Sequence, residues 1–372
     1  MTIADRFAPA RCPRLVVKIG SSLLIGPDGA PRRDWLATLV DDVAERRAAG
    51  QAVVLVSSGA IALGARTLNL PRGGRASLED SQAAAACGQI ALAGLWAALL
   101  AARGLTAAQM LLTLDDLEDR RRYLNAAATL DRLLGLGAVP VLNENDSVAT
   151  AEIRFGDNDR LAARVAQAAG AAGVILLSDV DGLHTADPAR DPAAALIEIV
   201  PVVDAAVERL AGAASTLGTG GMAAKLEAAR LAARAGVDLA IASGREDHPL
   251  HRFAATGRGT LFPAAAGVSR RKAWLASRRT ARGRVTVDAG AATALAKGGS
   301  LLAAGVTAVE GGFARGDVVE VLGPGGAVAR GIAAYDVAEA SRIAGHRHEA
   351  QAALLGYPPR SALIHRDQLV LL

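Results

Sequence analysis

Between residues 15 and about 262 the chain alternates short apolar runs with longer stretches whose apolar positions recur every three to four residues. Leu15–Ile19, Ala52–Val56, Ala138–Leu142, Val174–Leu177 and Val237–Ala242 are apolar runs of strand length, and they predict strands buried on both faces. Trp35–Ala49, Gln82–Arg103, Arg121–Leu134, Asp159–Ala169 and Ala223–Ala235 have the helical period. This alternation predicts an α/β domain, a three-layer αβα sandwich around a mostly parallel sheet. Ligands of such sheets bind beyond the carboxyl ends of the strands, so the polar turns at those ends are where chemistry is expected.

After Gly267 the texture changes. Short strand-like segments at Arg284–Asp288, Ser300–Ala303, Asp317–Leu322, Val328–Ala334 and Ala362–His365 are punctuated by Gly-Gly pairs, and they predict a small β-rich, barrel-like second domain. The expected division is residues 1–268, a basic linker at 269–282, and a tail at 283–372. Charge sharpens this division. Six basic residues and no acid lie in Ser269–Arg282, the tail holds eight of each sign, and residues 1–268 hold 27 basic and 29 acidic. The net +4 therefore comes from one short segment, and the alkaline pI argues little for a nucleic-acid-binding face.

Aromatic residues are 3% of the chain, so its cores must be built from Ala, Leu, Val and Ile. The two cysteines, Cys12 and Cys87, have no metal-like or disulfide-framework spacing, which fits a reducing, cytoplasmic compartment. Residues 1–14 contain no apolar signal core. Ala83–Ala102 has the length of a membrane span, but it is mostly Ala and Gly, with Gln82 and Gln89 on one face; a buried helix of an α/β domain is the expectation.

Six segments carry candidate chemistry. Lys18 lies inside an apolar strand, where an ammonium is costly unless an anion meets it, and Gly20-Ser21-Ser22 behind it offers a turn of backbone N–H groups; a lysine snorkelling at a strand end is the alternative. Ser57-Ser58-Gly59 ends a strand and opens a helix, a place for a carboxylate or for an ordinary serine cap. Asn143-Glu144-Asn145-Asp146 follows a strand; Asp146 suits an ammonium group, the Asn side chains can orient carboxylates, and a plain polar loop is the alternative. In Gly156-Asp157-Asn158-Asp159, Asp157 or Asn158 can cap a helix while Asp159 holds lysines. Ser178-Asp179-Val180-Asp181-Gly182 is a strand end suited to a nucleotide's base or ribose, or just a turn.

The sixth segment, Gly218-Thr219-Gly220-Gly221-Met222, opens a helix bearing Lys225, an arrangement that lets backbone amides and one mobile charge approach a polyphosphate. The Walker A spacing occurs nowhere. A dinucleotide-like G-x-G-x-x-A starts at Gly218, but no strand precedes it and Asp238 begins its strand. Two separated lysines, a glycine-rich loop and an acidic strand end suit phosphoryl transfer, which needs mainly positioning and positive charge.

These segments, in this order, resemble the amino acid kinase family. Lys18-Ile19-Gly20-Ser21-Ser22 is similar to its opening strand. Ser57–Ile61, Gln109–Thr113, Asn143–Asp146, Gly156–Asp159 and Gly218–Met222 resemble the branch that phosphorylates the side-chain carboxylate of L-glutamate. Ile343-Ala344-Gly345-His346 and Leu355-Gly356-Tyr357 resemble a PUA domain. The resemblance implies ATP with Mg²⁺ as cofactors and L-glutamate as substrate. It implies that ATP is held by Lys18, Ser178, Asp179, Thr219, Gly220, Gly221, Met222 and Lys225. It implies glutamate on Ser58, Asp146 and Asn158, with Lys18, Lys225 and Asp159 catalytic and Ser58 and Asn158 orienting carboxylates. It further implies a homo-oligomer, feedback inhibition by proline, and a transient handover of product to the downstream glutamyl phosphate reductase. Ser178, His184 and Ala224 depart from the residues common at their positions. The rival class is an RNA-binding or RNA-modifying protein working through the PUA-like tail; the tail's balanced charge argues against it, and the basic linker argues for it.

Overall fold

Strands that are apolar on both sides need cover on both faces, and the sheet they build has it. The computed structural model describes residues 2–148, 158–188, 190–211, 221–265 and 281–372. The chain divides into two units, Met1–Ala266 and Gly267–Leu372.

The first unit holds β1 (Arg14–Ile19), β2 (Ala52–Ser57), β3 (Ala107–Leu112), β4 (Val139–Glu144), β5 (Gly173–Ser178), β6 (Asp238–Ser243) and β7 (Thr260–Phe262). They form one sheet in the order β3-β4-β2-β1-β5-β6-β7, parallel except for β7. Its main helices are α1 (Ser21–Leu24), α2 (Arg33–Ala48), α3 (Ala60–Thr67), α4 (Leu78–Ala101), α5 (Leu114–Glu118), α6 (Arg120–Gly135), α7 (Asn158–Ala168), α8 (Ala205–Leu210), α9 (Met222–Arg234) and α10 (Pro249–Thr256). The sequence reading lacks β3 and β7. β3 is a half-exposed edge strand interrupted by Gln109, and β7 is only three residues long, so neither presents a buried apolar run.

The strand period of two sorts the β1 side chains between two cores. Leu15, Val17 and Ile19 pack with α2, α4 and α10, including Trp35, Trp96 and Phe253. Val16 packs on the other face, with α6, α7 and α9. Lys18 shares Val16's parity, so it is delivered to the α7/α9 face. Registers Ile19↔Ser57, Ile19↔Leu177 and Ser178↔Ser243 align the carboxyl ends of β2, β1, β5 and β6 along one edge.

α4 is long and apolar enough to cross a membrane, yet less than half of its apolar stretch is buried. It is therefore buried along one face only: Leu92, Leu95, Trp96 and Leu100 enter the core while Ile90 stays 78% exposed. Its inner face crosses α3 at Gly64 and Gly88, where either glycine would, with a side chain, drive a methyl into the partner helix's backbone.

α10 begins at Pro249 and receives no cap from its own His248 side chain. Asp42 of α2, 2% exposed, supplies the cap, accepting from the N–H groups of Leu250 (2.9 Å) and His251 (3.2 Å) and pairing with His248 Nδ1 at 2.9 Å. Asp42→Ala orphans these donors and lowers stability by about 2 kcal/mol, read by urea denaturation. The hydrogen bond to Asp42 raises the His248 pKa. The pair's contribution is therefore full below the unfolded-state value of about 6.5 and is lost as pH rises through the higher folded value. The Asp42→Ala protein loses that pH dependence.

The second unit contains β8 (Gly283–Val287), β9 (Val306–Gly311), β10 (Val318–Gly323), β11 (Gly326–Ile332) and β12 (Leu369–Leu371), ordered β12-β11-β10-β8-β9 around its own core. Two expected strands are corrected here. Ser300–Ala303 and Ala362–His365 meet only in an isolated bridge at Leu301 and Ile364, because Ala303–Gly305 turns away into a 3₁₀ helix. Three helices the sequence reading lacks, α11 (Ala289–Ala296), α12 (Val337–Ile343) and α13 (His348–Leu355), complete the unit.

Candidate active site

Along the aligned strand ends the polar residues are buried, which is costly unless they serve each other or a ligand. Lys18, at the end of β1, reaches Asp159 Oδ1 at 2.6 Å. Lys225, in the second turn of α9, reaches Asp159 Oδ2 at 3.0 Å. Lys18, Lys225 and Asp159 are 6%, 7% and 1% exposed. Burial alone would push the Asp159 carboxyl up; Lys18 and then Lys225 outweigh it and hold it below the usual carboxylate range. The three groups together carry one net positive charge where an anion can be neutralised.

Beside them runs a chain of amides and hydroxyls. Gly59, at φ 102°, makes the turn from β2 into α3 and leaves Ser58 at the head of the helix. Asn158 Nδ2 donates to Ser58 Oγ at 2.9 Å and to Asn143 Oδ1 at 3.2 Å. Asn143 Nδ2 donates to Gln89 Oε1 on α4 at 2.8 Å. Behind Ser58, Trp96 Nε1 donates to Ser57 Oγ at 2.9 Å. Asn158 is the first described residue of α7, and its side-chain amide is committed to this network. Asp157 lies outside the described residues.

Asp146 follows β4 and is 7% exposed, with its Oδ1 lacking a hydrogen-bond partner. Burial pushes its carboxyl up to about 6, against a smaller opposing effect of Arg75. It lines a cavity of about 330 Å³ with Ala60, Gln89, Gln109, Glu144 and Asn145. A second cavity, about 390 Å³, opens beyond β5 and β6 and is walled by Asp179, Ser243, Arg245, Phe253 and Arg258. Ser178, 5% exposed, donates to Asp179 Oδ1 at 3.0 Å. In the sheet order β1 lies between β4, whose end lines the first cavity, and β5 and β6, whose ends line the second, so Lys18 stands between the two.

The structure thus brings together Lys18, Asp159 and Lys225, and separately Ser58 and Asn158. Gly221 precedes α9 and Met222 is its first residue. Thr219 and Gly220 lie outside the described residues. Gln89 is absent from the site expected from sequence, and Asn143, expected as one of the asparagines that can orient carboxylates, links Gln89 to Asn158. Gln89 was visible there as the one strongly polar side chain in an apolar run, a signal that helix periodicity alone does not interpret.

A doubly wound sheet with a buried Lys–Asp–Lys cluster at its carboxyl edge, set between two cavities, defines a phosphotransferase. The model of the amino acid kinase family matches residues 13–243, and that of the PUA domain matches residues 283–353. Among relatives, a glutamate 5-kinase of Sphingopyxis alaskensis is 64% identical over 98% of this chain and 99% of its own length. Glutamate 5-kinases of Novosphingobium aromaticivorans (62%, covering 100% and 99%) and Zymomonas mobilis (58%, covering 98% and 93%) are similar over comparable spans. The chain belongs to the amino acid kinase family and, within it, to the glutamate 5-kinases.

Proposed function

We propose that this chain transfers the γ-phosphoryl group of ATP to the γ-carboxylate of L-glutamate, giving γ-glutamyl phosphate, in the cytoplasm, as the first step of proline synthesis. The observation that carries the reading is the buried Lys18–Asp159–Lys225 cluster, with Asn158, the chain neighbour of Asp159, hydrogen-bonded to Ser58. The acceptor is already ionised at neutral pH, so no general base is needed. A γ-carboxylate oxygen forms a bond to the γ-phosphorus while the bond to the β–γ bridging oxygen breaks, and ADP leaves with that electron pair. Lys18 and Lys225 neutralise charge on the equatorial oxygens, and Asp159 holds both ammonium groups in place before substrate arrives.

In this reading Ser178, Asp179 and the cavity behind them take the base and ribose, and Thr219 to Met222 cradle the phosphates ahead of Lys225. Among the described residues no cluster of three His, Cys, Asp or Glu side chains stands ready to hold a metal. Mg²⁺ would enter as a companion of the nucleotide and would supply further neutralisation of its phosphate charge. Asp146 attracts the α-ammonium of glutamate and Ser58 orients a carboxylate. A homo-oligomer, inhibition by proline and transient contact with the reductase that consumes the acyl phosphate belong to the same proposal, as does a linker at 269–282. That basic segment, on which an RNA reading would rest, lies outside the described residues apart from 281–282.

Trapping the acyl phosphate with hydroxylamine tests the reaction, with L-aspartate and N-acetyl-L-glutamate run beside L-glutamate. Hydroxamate from glutamate alone is expected; none from any of the three, with folded protein and Mg²⁺, overturns the proposal. Asp146 adds a pH signature. Its carboxyl must be ionised to hold an ammonium, so kcat/KM for glutamate falls about tenfold per unit below the pKa of about 6. Asp146→Asn flattens that limb and raises the KM for glutamate by roughly 30-fold or more. An unchanged acid limb in the variant would assign the pKa to another group.

A further inference from the structure

The assignment of nitrogen and oxygen in a side-chain amide follows from its partners, and here one partner is unambiguous. The backbone N–H of Glu144 can only donate, and it lies 2.9 Å from the Asn143 side chain, so that atom is the oxygen Oδ1. The other end of the Asn143 amide is then NH₂, and the Gln89 atom 2.8 Å away must be an acceptor, Oε1. The Asn158 atom 3.2 Å from Asn143 Oδ1 must be a donor, so it is Nδ2, and the same nitrogen donates to Ser58 Oγ. Every orientation in the row Gln89–Asn143–Asn158–Ser58 is thereby set.

Two consequences reach the substrate. Asn158, 3% exposed, is left with Oδ1 as its remaining polar atom, buried and without a hydrogen-bond partner. Ser58 Oγ already accepts from Asn158, so its hydroxyl proton is left to donate. An unpaired buried acceptor is costly and calls for an N–H donor from the ligand; a hydroxyl donor suits a carboxylate. This differs from the resemblance-based expectation that Asn158 orients a carboxylate, because an amide oxygen repels one.

We propose that Gln89 is a positioning residue: through Asn143 it holds the Asn158 amide with its oxygen presented to the substrate's α-ammonium and leaves the Ser58 proton to a carboxylate. The inference rests on the proposed glutamate kinase reading. Gln89 itself touches no reacting atom, and it sits on α4, whose inner face is anchored against α3 independently of this bond.

Gln89→Leu removes the acceptor and keeps the bulk. It is expected to raise the KM for L-glutamate by roughly 3–10-fold, the worth of one hydrogen bond, with kcat and the KM for ATP within about twofold of wild type. Gln89→Glu retains an acceptor oxygen facing Asn143 and is expected to restore most of the loss. Glutarate, which lacks the ammonium but keeps the carboxylate that Ser58 meets, separates the roles: as a slow substrate, or as an inhibitor competing with glutamate, it should lose clearly less affinity than glutamate does in Gln89→Leu. A rise in the KM for ATP, a matching loss for glutarate, no rescue by Glu, or an unchanged KM for glutamate would each overturn the proposal. Wild-type protein that makes no hydroxamate from glutamate would instead overturn the reading beneath it, so the two failures are distinct.

Discussion

Lys225→Ala is expected to lower kcat for hydroxamate formation by roughly 10²–10³-fold while leaving the protein folded. The physical reason is the balance of charge around Asp159, which two lysines share at 2.6 and 3.0 Å. Removing Lys225 leaves the Lys18–Asp159 pair intact, so no carboxylate is stranded in the core. What disappears is positive charge at the transferring phosphoryl group, whose value is realised only in the transition state. Asp159→Asn should behave differently. It leaves two buried ammonium groups facing each other across a neutral amide, and breaking a buried ion pair in this way costs about 3–5 kcal/mol.

Asp159 also contributes to acid stability with a definite sign. Its folded-state pKa lies below the ordinary value, so its contribution is present above about pH 4 and is lost as pH falls through the folded pKa. Steady-state kinetics and melting curves for the two variants give the answer. A Lys225→Ala enzyme with near-normal kcat would remove Lys225 from the transfer step. An Asp159→Asn protein as stable as wild type would show that the lysines do not depend on the carboxylate.

Gly64→Ala is expected to destabilise the first unit by about 3 kcal/mol or more, because the added methyl would land on the Ala84 backbone carbonyl of α4. Gly88→Ala makes the reciprocal collision with the Ala60 carbonyl of α3. Flexible side chains can rotate away from such a clash, but helix backbones cannot, so the two helices must separate. The melting temperature should fall by roughly 10 °C. The KM for glutamate should rise too, since α3 starts just beyond Ser58 and α4 carries Gln89. Gly94→Ala on the same α4 is the control: its added methyl meets nothing within 4 Å, and alanine is the better helix former. Gly64→Ala melting like wild type would mean that the helices cross elsewhere.

Much of the fold was legible because burial on both faces writes itself as uninterrupted apolar strands. Five core strands and five long helices were readable to within a few residues on that ground. Elements that fail that condition were not: edge strand β3, three-residue β7, and α10, whose cap comes from Asp42 more than 200 positions away. In the second unit α11 and α12 are preceded by Asp288 and Asp336, each with a side chain capping the first turn, and Glu339 completes a capping box. These signals were present, but strand spacing and Gly-Gly pairs overrode them.

For the site, the one-dimensional pattern determined which residue types are anomalous: a lysine in an apolar strand, an aspartate at a helix start, a glutamine in an apolar helix. Strand parity even sends Lys18 to a definite face of the sheet. Only the tertiary structure decided who meets whom. Lys18, Asp159 and Lys225 are separated by 141 and 66 positions, and no local rule couples them. The direction of each amide in the Gln89–Asn143–Asn158 row is likewise beyond sequence, because it is held from both ends of Asn143, by the Glu144 backbone N–H and by the Gln89 acceptor. Residue type follows from what a position must avoid; pairing and orientation follow from three-dimensional proximity, which chain order does not encode.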